Sequence, residues 1–102
     1  MAKELITIDY QVNGKRCKID VVAQIVGPLA YHRTVGEAGF WTVTHLATGR
    51  ALFRFIEGAK HARKVIDQLA DLKWPKTVKA VKANQTLKNA TTMALESVGI
   101  KL

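Results

Sequence analysis

Every stretch of period-two alternation in this chain lies before Gly58, and every helical stripe lies after it. Strands that come as one block and helices as another do not build the alternating strand–helix–strand units of a parallel sheet. The segregation predicts an α+β fold, with an antiparallel sheet of four or five strands, an N-terminal hairpin plus a meander, packed against two or three C-terminal helices. With 102 residues the chain is near the commonest domain size. Residues 1–102 are therefore expected to form a single domain, 1–57 sheet and 58–102 helical.

The hairpin is the clearest local signal. In "ELITIDYQV" Ile6, Ile8, Tyr10 and Val12 fall on one face and Thr7, Asp9 and Gln11 on the other, the pattern of a half-buried strand. Asn13-Gly14 follows, a pair that readily takes the positive φ angles of a two-residue hairpin turn. The return strand "KRCKIDVVAQIV" turns Cys17, Ile19, Val21 and Ile25 inward. Cys17 is the only cysteine, which rules out an internal disulfide or a thiolate cage, and its alternation predicts a small buried apolar group.

Gly27-Pro28 ends that run, because proline cannot donate to a sheet ladder. "LAYHRTV" reads as a third strand, with Leu29, Tyr31 and Val35 on one side, and "FWTVTHL" and "ALFRFI" as the fourth and fifth, joined by Ala47-Thr48-Gly49-Arg50. In the fourth, either Phe40, Thr42 and Thr44 or Trp41, Val43 and His45 face the core, and the second set carries more apolar area. Beyond Gly58, Ala62, Val65, Ile66, Leu69 and Ala70 make the stripe of an amphipathic helix. Val78 and Leu87 are nine residues apart, which at about 100° per residue points them to opposite sides of a straight helix. A break near Asn84-Gln85 is expected, with a short helix before it and a longer one after it, closed by Gly99.

Composition excludes several classes of function. Hydrophobic residues are 48% and charged residues 24% of the chain, the balance of a folded protein. No apolar run approaches the roughly 18 residues of a membrane span, and no basic start precedes an apolar leader, so a cytoplasmic protein without a membrane partner is expected. His32, His45 and His61 fall on three different elements, without the i, i+3 or i+4 spacing of a metal site. Asp67 and Asp71 share a helix with Arg63 and Lys64, where surface ion pairing accounts for them. The glycines match neither GxxxxGK[ST] nor GxGxxG. The expectation is a non-enzymatic protein with no catalytic residue, metal or cofactor.

The positive signal is charge. The net charge is +8, and residues 73–102 hold six lysines against Glu96 alone. Lys73, Lys76, Lys79 and Lys82 repeat every three residues, which in a helix lines them along one slowly rotating stripe, with Lys60, Arg63 and Lys64 on the preceding helix. Such a row supplies phosphate contacts without base information. Arg50 and Arg54 extend the candidate nucleic-acid surface, and Phe40, Trp41 and Phe53 would stack on bases if exposed. An acidic protein surface would suit the same charge. An exposed sheet edge would also let two copies pair as a homodimer.

The stretch "FWTVTHLATGRALFRF" sets His45 among Thr44, Thr48 and Arg50. A histidine at a strand end commonly bonds the turn beside it, so His45 is expected to be a satisfied turn residue and not a catalyst. Trp41, Val43, Thr44, His45, Thr48 and Gly49, followed by an amphipathic helix, resemble a Trp-x-Val-Thr-His-x-x-Thr-Gly strand–turn–strand pattern of small proteins from phages and mobile elements. That resemblance implies a basic protein that binds nucleic acid. Its alternative implication is an inhibitor of a host enzyme or defence complex, of the anti-CRISPR kind, acting by protein binding. For an inhibitor the expected partner surface is an exposed sheet face or edge around Tyr31, Arg33, Thr44 and His45.

Overall fold

The computed structural model describes residues 3–100, apart from the side chain of Val12. Its strands β1 (Lys3–Val12), β2 (Lys15–Val26), β3 (Leu29–Arg33), β4 (Phe40–His45) and β5 (Arg50–Glu57) precede helices α1 (Ala59–Leu69), α2 (Val78–Ala83) and α3 (Gln85–Glu96). The sheet is a five-stranded antiparallel meander in the order β1-β2-β3-β4-β5. This is the α+β fold that the segregated patterns predict. Asn13 and Gly14 have φ of 51° and 79°, positive at both central positions as a type I′ turn requires. Val12 therefore pairs with Lys15 and the β1–β2 register is continuous. The expected inward face of Val12 lies outside the described side chains.

Residues directly opposite one another across antiparallel strands share a face. Leu29 with His45 and Tyr31 with Val43 set one face of β3 and β4. It packs on Ala62, Val65, Ile66 and Leu69 of α1 and on Ala94 and Leu95 of α3. The set Trp41, Val43 and His45 thus faces the helices, as its apolar area predicts. The other face, however, is buried too: Ala30, His32, Thr42 and Thr44 are all at most 4% exposed. The choice between the two β4 registers had no single inward answer, because the sheet curls and covers its own concave side.

The curl brings β1 round to the start of β5. Asp9 N–H donates to the Gly49 carbonyl at 3.0 Å, and Arg50 Nε lies 3.9 Å from Asp9 Oδ2. Alanines at 23, 30 and 51 sit on the concave face, where side chains converge and little volume is available. Ile8 fills the space above them. The tip of the β1–β2 hairpin runs beyond this cover, and residues 13–18 are exposed. Cys17 is therefore exposed, contrary to its alternation, with Sγ 3.4 Å from the Tyr10 carbonyl.

The helical break falls where the phase of Val78 and Leu87 puts it. Asn84 ends α2 and caps α3, its Oδ1 accepting from Leu87 N–H at 3.1 Å. Beyond α3, Gly99 takes φ of 86°, and Ile100 N–H returns to the Leu95 carbonyl at 3.2 Å. Loss of an N-cap acceptor costs about 0.5–2 kcal/mol. Asn84→Ala is expected to lower the unfolding free energy measured in urea by that amount, and Asn84→Asp to restore most of it. Among the described residues no helix is long and apolar enough to cross a membrane.

Candidate nucleic-acid interface

The loop between α1 and α2 decides how the basic residues are arranged. Trp74 Nε1 donates to the Leu69 carbonyl at 2.8 Å, folding the chain back over the end of α1. Its ring lies 5.7 Å from that of His45. Lys73 and Lys76 therefore sit in an irregular segment, and only Lys79 and Lys82 lie on α2. The four lysines do not form a single helical stripe. Trp74-Pro75 interrupts the helix that the three-residue spacing assumed, since proline restricts the residue before it to extended conformations. All four are exposed, as is Lys88 on α3.

On α1, Lys60 and Lys64 are exposed, while Arg63 Nε donates to Asp67 Oδ1 at 2.8 Å, a helix-surface ion pair. The hollows that carry Lys82 and Lys88 include no residue of α1. From Leu72 to Leu95 the chain has five lysines and no carboxylate, and none of the five has an ion pair among the described residues.

Three hollows adjoin one another along β5 and share basic residues. The first, between β5 and the α2–α3 pair, has Phe53, Trp74, Val81 and Leu87 on its walls and Lys82 and Lys88 on its rim. The second shares Lys82 and adds Val78, His45 and Arg50. The third shares Arg50 and adds Arg54, Arg16 and Asp9, where β1, β2 and β5 meet. A path of positive charge therefore runs Lys88, Lys82, Arg50, then Arg54 and Arg16, crossing one carboxylate, Asp9. Arg16 and Lys88 escaped the sequence reading because Arg16 is far in sequence from β5 and Lys88 is cut off from the lysine row by Gln85 and the break at Asn84. Of the expected stacking aromatics, Phe53 borders the path. Trp41 packs on Tyr31 at 5.8 Å with the Arg33 guanidinium over it at 5.9 Å, and Phe40 meets Phe55 edge-on at 5.8 Å. Trp74, which the sequence offered only as a helix end, is the second aromatic on the path.

His45 is 2% exposed, enclosed between the β4–β5 turn and Trp74 and not at a strand end open to solvent. Its Nδ1 lies 2.9 Å from Thr48 Oγ1, and the ring also has the Pro75 backbone as a hydrogen-bond partner. His32 is likewise enclosed, with Nδ1 2.9 Å from the Arg33 carbonyl and Nε2 2.8 Å from Thr44 Oγ1. A carbonyl only accepts, so Nδ1 carries the proton and Nε2 accepts from Thr44. Burial pushes both imidazoles below their ordinary value, and their backbone hydrogen bonds offset part of that. His61 Nδ1 is 2.9 Å from the Glu57 carbonyl on the exposed start of α1. Cys17 and the two buried histidines each bond elsewhere and form no nucleophile–base pair.

The partner surface expected around Tyr31, Arg33, Thr44 and His45 is not an exposed face. Tyr31, Thr44 and His45 are 7%, 1% and 2% exposed, leaving Arg33 alone at the surface, and β3 is the central strand and not an edge. No family model matches the chain, and neither a curated protein nor a solved structure matches it.

Proposed function

We propose that the protein is a non-enzymatic nucleic-acid-binding protein that holds a single strand along the β5 path, with Lys88, Lys82, Arg50 and Arg54 on phosphates and Phe53 and Trp74 beside the bases. The observation that carries the reading is the sharing of Lys82 and Arg50 between adjoining hollows, which makes separate cations one continuous track. Cations along a groove follow a phosphate backbone, and aromatic walls accept bases of any sequence. Lys73, Lys76 and Lys79 add long-range attraction, and Lys60 and Lys64 on α1 lie off the track. The likeness of residues 41–49 to the phage-type pattern supports a phage or mobile-element origin.

Binding of labelled single- and double-stranded DNA and RNA, followed by fluorescence anisotropy over salt, tests this. Each phosphate neutralised on a single strand contributes about 0.7 to the fall of log affinity against log salt. The Arg50→Gln, Lys82→Gln, Lys88→Gln variant is expected to flatten that slope by about 2. Lys60→Gln with Lys64→Gln is expected to leave it nearly unchanged. No binding by wild type, or equal slopes for wild type and the triple variant, would overturn the reading.

A further inference from the structure

The track ends in a cleft whose chemistry differs from the rest of it. Two hollows share Asp9, Tyr10, Gln11, Ala51 and Arg54, so they are one cleft with an outer and an inner part. Their volumes are about 220 and 170 Å³, far more than the roughly 10–15 Å³ a single water needs.

The outer part adds Arg16 and Arg50, giving three guanidiniums and one carboxylate. That carboxylate, Asp9, reaches only Arg50, and at 3.9 Å. Arg16 and Arg54 have no ion pair among the described residues. The Tyr10 hydroxyl also has no hydrogen-bond partner among them and lies beside Gly36, where an added Cβ would stand 3.6 Å from it. An uncommitted hydroxyl donor thus stands by the loop that walls the inner part, and two uncompensated guanidiniums border the outer part.

The inner part keeps Asp9 and Arg54 and adds Glu37 together with His32 and hydroxyl groups whose hydrogen bonds are already committed. Thr44 donates to His32, and the Thr34 and Thr42 hydroxyls are 2.8 Å apart. Glu37 stands on its wall as an acceptor, and Ile8 and Phe55 give it apolar surface. A cleft with a cationic mouth and an interior of hydroxyls, apolar surface and an acceptor carboxylate suits a ligand that is anionic at one end and flat, with hydrogen-bond donors, at the other.

We propose that this cleft binds a nucleoside phosphomonoester, with the phosphate on Arg16, Arg50 and Arg54 and the nucleoside directed inward. A phosphomonoester carries about −1.5 to −2 at pH 7, whereas a diester carries a single charge. Three guanidiniums against one carboxylate match the monoester, and the planar guanidinium fork accepts two phosphate oxygens at once. The same group exists on a free mononucleotide and on the phosphorylated end of a strand. The strand form rests on the function proposed above, and the free form does not.

The test uses the full chain. AMP, adenosine and inorganic phosphate are titrated calorimetrically, and one single-stranded DNA sequence is compared with 5′-phosphate, 3′-phosphate and hydroxyl ends. The expected result is AMP binding that neither adenosine nor inorganic phosphate reproduces, and a preference of about tenfold for one phosphorylated end. Arg16→Gln with Arg54→Gln is expected to abolish both preferences and, at two exposed positions, to leave the unfolding midpoint unchanged. AMP binding without binding of any oligonucleotide keeps the monoester site, assigns it to free nucleotides and rejects the strand track. Salt-steep oligonucleotide binding that ignores the end group, with no AMP binding, keeps the track and rejects the monoester site.

Discussion

Gly49→Ala lowers the stability of this protein well below that of Gly39→Ala, although both glycines have positive φ, 71° and 86°. Either substitution forces an L-residue into a left-handed conformation, at about 1–2 kcal/mol. At Gly39 nothing lies within 4 Å of the added Cβ, and that strain is the whole effect. At Gly49 the Cβ would stand 3.2 Å from the Thr7 carbonyl oxygen and 3.5 Å from the Asp9 nitrogen. Those atoms belong to β1, which its full register with β2 holds in place, so they cannot yield as a side-chain tip would. Crowding of this kind adds about 1–3 kcal/mol. Urea unfolding of the two variants measures the difference directly. Equal losses would mean that the first strand does not close against the β4–β5 turn.

Acidification is the second large effect. His32 and His45 have folded-state pKa values below the ordinary 6.5 because both are buried. Well above the ordinary value of about 6.5 the imidazoles are neutral whether the chain is folded or not, and they contribute nothing to pH dependence. Below it, the unfolded chain takes up protons that the folded chain excludes, so stability falls with pH until the folded-state values are reached. The slope is at most about 1.4 kcal/mol per pH unit for each imidazole. Urea midpoints at pH 7.5 and 5.5 are expected to show this loss, and His32→Gln and His45→Gln each to reduce it. A wild-type midpoint that does not move over this range would contradict the enclosure of both rings.

What could be read in advance and what could not follow the range of the interactions involved. Asn13-Gly14 fixes its turn within four residues, and the phase of Val78 against Leu87 marks the Asn84 break, since both depend only on neighbours along the chain. Cys17 shows the limit of alternation, which assigns a residue to a face and says nothing of whether that face is covered. The concave face is covered over His32 and Thr44 but not at the hairpin tip. The lysine periodicity misled for a related reason: spacing of three has meaning only inside a helix, and Pro75 removes the helix from under Lys73 and Lys76. The cleft was beyond sequence reading because Arg16 meets Arg50 and Arg54 only after the meander has curled β1 onto β5.

The overhanging hairpin has a practical consequence. Its thiol is the only one in the protein and is exposed, one residue along the strand from Arg16 of the three-arginine cleft. A maleimide dye would therefore attach at one defined place, next to the site in question and outside the packed core. Its emission would report occupancy of the cleft without any engineered residue. The same exposure makes a reducing agent necessary in every binding experiment, because two hairpins joined through Cys17 would imitate a natural dimer.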